Sequence, residues 1–120
     1  MAIKVISGIL FVPKNTNRNA GSATIDFNPH TVTGDADGFN MTEIGPNNKP
    51  FKSKPCFTVS LRSIGMTDST DEDITRSRWE DWEINTRLDP TQRNSMVVSW
   101  STKGDPTIHE ISYMIIGEVE

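Results

Sequence analysis

A chain of 120 residues with 16 acidic and 12 basic side chains, a net charge of −4 at pH 7 and 34% hydrophobic residues is sized for one compact domain spanning residues 1–120. Its 7 Val, 12 Ile and 13 Thr far outnumber its 3 Leu and 4 Ala, which argues against a helical bundle: branched side chains suit a pleated, half-buried surface. The acidic balance disfavours nucleic acid and anionic membrane surfaces, and no apolar run approaches the ~18 residues of a membrane span.

In chain order, Met1-Ala2-Ile3-Lys4 leads directly into alternating apolar residues without a secretory leader, so a cytosolic or unconventionally secreted protein is expected. The Val/Ile-rich run Ile3 to Val12 reads as a first strand ended by Pro13, and Lys14 to Gly21 as a polar loop. Ser22 to Asn28 places Ala23, Ile25 and Phe27 on one face, a short second strand. From Pro29 to Pro50 three Gly, three Pro and the stretch Gly34-Asp35-Ala36-Asp37-Gly38 read as a long functional loop. Phe57, Val59 and Leu61 alternate with Thr58, Ser60 and Arg62, a strand expected in mid-core. After the acidic loop Gly65 to Asp73 and the weakly helical Asp71 to Trp79, Trp82 to Leu88 alternates until Pro90. Met96, Val98 and Trp100 alternate likewise. Beyond the turn at Lys103 to Pro106, the last strand, about Thr107 to Val119, has apolar residues on both faces and is expected to be buried between layers. About six short strands predict a small antiparallel β-sandwich, with a closed barrel as the competing architecture.

Chemistry-bearing residues are few. The single Cys56 allows no intrachain disulfide, and with His109 it forms only a weak nucleophile–base candidate at the start of a buried-looking strand. Asp68, Asp71, Glu72 and Asp73 lack the glycine and distal glutamate of a calcium loop and read as a solvated acidic segment; no metal or cofactor is expected. Trp79, Trp82 and Trp100 sit among charged or hydroxylic residues. Each is a core residue by default. The functional reading is a sugar platform, in which an indole covers the C–H face of a pyranose while carboxylate and guanidinium partners orient its hydroxyls.

Lys4-Val5-Ile6-Ser7-Gly8, the Phe51 to Leu61 segment with Pro55-Cys56-Phe57-Thr58-Val59-Ser60-Leu61, and Trp100 followed by Ile111-Ser112-Tyr113-Met114-Ile115-Ile116-Gly117 together resemble the H-type lectin domain of snail agglutinins and slime-mould discoidins. The resemblance implies a six-stranded sandwich that assembles as trimers and binds galactose or N-acetylgalactosamine between protomers. It implies that Asp35 or Asp37, with Gly38, accepts from sugar hydroxyls, that Arg76 or Arg78 donates to the sugar, and that Trp100 forms an apolar wall. Ser101 follows that Trp, where the family commonly has His, and the later aromatic position falls near Thr107 with His109 close by. The expected function is therefore a non-catalytic lectin. The alternative is a structural or receptor-binding β-module of a multimeric assembly, such as a viral or phage fibre tip. A hydrolase would need Asp35 and Asp37 as a catalytic pair, a geometry that two neighbours on a turn rarely hold.

Overall fold

In the computed structural model the alternating runs pair into two antiparallel sheets of four strands each, packed face to face rather than closed into a barrel. The structure describes residues 2–12, 20–46, 49–64, 83–88, 94–101 and 109–119. The strands are β1 (Ala2–Val12), β2 (Ala20–Phe27), β3 (His30–Gly34), β4 (Asp37–Ile44), β5 (Cys56–Ile64), β6 (Glu83–Leu88), β7 (Ser95–Ser101) and β8 (His109–Val119). Sheet A has the order β4-β1-β8-β5 and sheet B the order β3-β2-β7-β6.

The all-β sandwich has eight strands instead of six because the expected loop Pro29 to Pro50 contains β3 and β4. Thr31, Val32 and Thr33 alternate against Asp26, Ile25 and Thr24 of β2, and between β3 and β4 only Asp35 and Ala36 form the turn. The expected polar loop also ends earlier, since Ala20 and Gly21 already belong to β2. Lys14 to Asn19, the acidic loop, the weakly helical stretch with Trp79 and Trp82, and the turn at Lys103 to Pro106 lie outside the described residues.

The inner faces meet in one core. Ile6, Leu10, Ile111 and Ile115 of sheet A and Ile25, Phe27, Met96 and Val98 of sheet B are all fully buried, each worth about 1.5–3 kcal/mol in transfer from water. Phe27 and Phe51 close one end edge to face, 5.4 Å between centroids. Two burial expectations are corrected. β5 is an edge strand whose Phe57, Val59 and Leu61 are half-buried, not a mid-core strand. β8 is central in its sheet, but its outer face is exposed rather than buried between layers: Met114 is 48% and Ile116 41% exposed.

Residues paired across a ladder share a face, so the register gives the composition of each outer surface. Across sheet A one row reads Ile44, Val5, Ile116 and Cys56, and the next Thr42, Ser7, Met114 and Thr58. After a β-bulge between Ser7 and Ile9, where Asn40 takes φ 51°, the third row is Phe39, Ile9, Ser112 and Ser60. None of these twelve side chains carries a charge. Hydroxyls bond each other across the strands: Ser7 Oγ to Thr42 Oγ1 at 2.6 Å and Ser60 Oγ to Ser112 Oγ at 3.1 Å. The outer face of sheet B is instead Thr, Ser and Val97 interspersed with Asp26, Glu83, Asn85 and Arg87.

Candidate functional site

Alternation of strand direction brings the ends of β1, β3, β5 and β7 and the starts of β2, β4, β6 and β8 to one pole of the sandwich. Asp35, Asp37, Gly38, Trp100, Ser101 and His109 all lie at this pole. Asp37 stands opposite Phe11, Gly38 opposite Leu10, Ser101 opposite Ala20 and Glu83, and His109 opposite Val12 and Ile64. Arg76, Arg78 and Thr107 lie outside the described residues.

The turn that presents the carboxylates is built by Gly34. Its φ of +112° and the Ser22 carbonyl, 2.7 Å from where a Cβ would sit, leave room for no side chain. The chain then reverses, and Asp35 is tied to β2 twice: its N–H donates to Ser22 O at 2.8 Å, and its Oδ2 accepts from Ser22 N–H at 3.0 Å. Asp35 and Asp37 are both exposed, with the methyl of Ala36 buried between them. The result is a two-residue turn, anchored from below, that holds one carboxylate in a fixed orientation beside a second.

Two of the expected contacts serve packing. A Cβ at Gly38 would meet Val32 Cγ2 and Met41 Sδ at 2.8 Å, so Gly38 is small because the sheets close on it. Trp100 is only 6% exposed and is a member of the core; its six-membered ring lies against Gly21, where a Cβ would meet Cζ2 at 2.8 Å. In the single chain the indole lies against the chain's own β2. Cys56, expected to be a buried thiol, is exposed on the outer face of sheet A. It pairs with Ile116 while His109 pairs with Ile64. Seven residues of β8 separate those rows, about 23 Å at ~3.3 Å per residue, so the two cannot act as nucleophile and base.

A second polar group, unanticipated from the sequence, lies between the sheets at the opposite end of β1. Lys4 is completely buried; its ammonium donates to Phe27 O at 3.0 Å and to Lys49 O at 3.1 Å and forms an ion pair with Glu43 Oε1 at 2.7 Å. The ammonium also lies 5.7 Å from the Phe51 ring centroid. Among the described residues that buried Glu43 oxygen has no hydrogen-bond partner, only the Lys4 charge beside it. Nearby, His30 Nε2 and Tyr113 Oη share a hydrogen bond of 2.7 Å, the rings edge to face. Burial, with help from the Lys4 charge, holds His30 below its usual pKa of 6.5, against the pull of Glu43 and the Thr42 backbone. Burial raises that of Tyr113 above its ordinary value. With its donors engaged, Lys4 ties the sheets together and offers nothing to a ligand. The available signal was parity: Lys4 shares a face with Ile6 and Leu10, but Ile3, Val5 and Ile9 make the other face equally apolar.

Among the described residues no group of three His, Cys, Asp or Glu side chains could hold a metal ion, and no helix is long and apolar enough to cross a membrane. Comparison with family models, with curated proteins and with solved structures finds no match to this chain.

Proposed function

We propose that this chain is a non-catalytic carbohydrate-binding module for galactose- or N-acetylgalactosamine-type glycans, acting as a homo-oligomer. The observation that carries the reading is the Asp35 turn: an exposed carboxylate held by the β2 backbone beside a second exposed carboxylate, at the pole shared by four strand-to-strand connections, to which the end of β7 brings Ser101 and the start of β8 brings His109. Sugar hydroxyls donate to such oxygens, and a fixed carboxylate selects among hydroxyl orientations. The resemblance of the chain to H-type lectins supports the same sugar class and a trimeric assembly. Trp100 is assigned a packing role in this proposal, and the apolar wall is left to a neighbouring protomer. A single such site binds weakly, near ~1 mM or about −4 kcal/mol, and joining several raises avidity by roughly 10²–10⁴.

Agglutination of red cells by the purified protein, reversed by free galactose-type sugars, tests the proposal. The double substitution Asp35→Asn/Asp37→Asn should abolish sugar-reversible clumping while leaving the fold intact by circular dichroism. Silence across a broad glycan array, or unchanged binding by the double variant, would overturn it. The second reading, a structural or receptor-binding β-module, is favoured by one observation, the uncharged outer face of sheet A. Silence on the array together with a stable assembly would select it.

A further inference from the structure

The four large hydrophobic side chains exposed among the described residues, Ile3 (46%), Ile44 (67%), Met114 (48%) and Ile116 (41%), all lie on the outer face of sheet A. An antiparallel sheet facing water ordinarily alternates apolar inside with polar outside; the three central rows of this outer face are instead apolar or hydroxylic. Depletion of charge around a cluster of apolar residues is the composition of an interface core. We propose that this face is a self-association surface: two copies of the chain pack sheet A against sheet A about a two-fold axis, with their strands running in opposite directions. The inference is separate from the trimer invoked above, with which a two-fold contact combines only as a hexamer, and it rests on the sheet alone, whatever the loop pole binds.

Three features favour a second copy. The first is size. Four strands at ~4.8 Å and about nine residues at ~3.3 Å give a face on the order of 19 by 30 Å, which side-chain relief brings toward the ~800 Å² per partner of a stable interface. The second is shape. An isologous contact needs a knob and a hole on the same surface. Ile44 stands out as the most exposed apolar side chain, and a shallow depression of about 350 Å³ lies between Ser7, Ile9, Asn40, Thr58, Ser112 and Met114. The third is charge. Among the described side chains, exposed Asp37 and half-buried Glu110 flank Phe11 at the loop-pole end of the face. At the other end the exposed Lys49, Lys52 and Lys54 outnumber Glu118, to whose carbonyl the Lys52 N–H donates at 2.8 Å. Parallel copies would set acids against acids, whereas opposed copies set the acidic end of each against the lysine end of the other.

Sedimentation equilibrium of the full chain without sugar tests the proposal. The expected species is a dimer or a larger assembly of even stoichiometry. Ile116→Lys should raise its dissociation constant at least about a hundredfold, because a lysine would be trapped in an uncharged interface, and Met114→Lys should act likewise. Both point outward, so their circular dichroism should stay native, and Asn85→Lys on the outer face of sheet B should leave the stoichiometry unchanged. Raising the salt should weaken the dimer, as opposite charges at its ends are screened. A monomer, a trimer, a dimer indifferent to Ile116→Lys, or a dimer strengthened by salt overturns the proposal. If the sugar reading fails instead, agglutination is absent from the unsubstituted protein while the dimer persists.

Discussion

The two sheets share one apolar core, which sheet A interrupts with the Lys4–Glu43 pair, but they present opposite outer faces. Sheet B shows water Glu83, Asn85 and Arg87 on β6 and hydroxyls on β2, β3 and β7, with Asp26 bonded to Thr31 at 3.4 Å and Asn85 to Glu83 at 3.2 Å. Sheet A shows it isoleucine, methionine and self-paired hydroxyls. The contrast separates two requirements that a sandwich usually meets together. One inner face per sheet suffices to build the core; a second uncharged face adds nothing to the stability of a single chain and exposes apolar area at a cost in solubility. The outer face of sheet B is thus what folding in water requires, while that of sheet A carries an apolar surplus that the self-association proposed above would use.

The largest expected effects bear on the inner faces, where the sheets should behave alike. Trp100→Ala in sheet B should cost about 3–5 kcal/mol and Ile115→Ala in sheet A about 2–5 kcal/mol, since each empties a packed position. Urea unfolding measures both. If Trp100→Ala removes sugar binding from protein that remains folded and stable, the indole is a ligand wall after all. A smaller effect sharpens the contrast directly. Ile116→Ala, one residue from Ile115 but facing outward, should change the stability of dilute monomer by no more than ~0.5 kcal/mol, and a large loss there would mean the outer face is already covered within the chain.

The smallest effect concerns pH. Because His30 is held below 6.5 in the folded state, the unfolded chain binds its proton first as pH falls. The contribution of His30 is thus complete above pH 6.5 and declines below it, through the window down to its folded value. Subtracting the stability of His30→Gln from that of the unsubstituted protein at each pH isolates the trend; a difference that grows on acidification reverses the sign. The Lys4 charge and Glu43 act on His30 in opposite senses, while Tyr113 bonds it directly.

Much of the fold was legible where one face is polar. Ser22 to Phe27 and Glu83 to Leu88 alternate cleanly because sheet B meets water, and the register follows. β4 was hidden for two reasons: Asp37 and Gly38 belong to the vocabulary of turns, and the bulge at Asn40 breaks the two-residue period. β8 revealed its strand but not its surroundings, because an apolar outer face reads the same whether covered or exposed. At the candidate site the Asp35 turn was legible from Gly34-Asp35. Alternation had already grouped Trp100 with Met96 and Val98, and its burial follows that pattern rather than the hydroxyls of Ser99 and Ser101 on either side. His30 was concealed by the same loop-like composition that hid β3.

Lys4 bears on the strand whose alternation says least. β1 places Ile6 and Leu10 on one face and Ile3, Val5 and Ile9 on the other, so apolar burial alone distinguishes poorly between a strand and its own one-residue slip. A slip would carry the ammonium outward, strand the Glu43 carboxylate, and leave the Phe27 and Lys49 carbonyls without their donor. A single cation with one carboxylate and two carbonyls around it thereby acts as a parity check on β1: it makes the wrong phase of an ambiguous strand electrostatically costly, and so decides which of two greasy faces is left for the outside world.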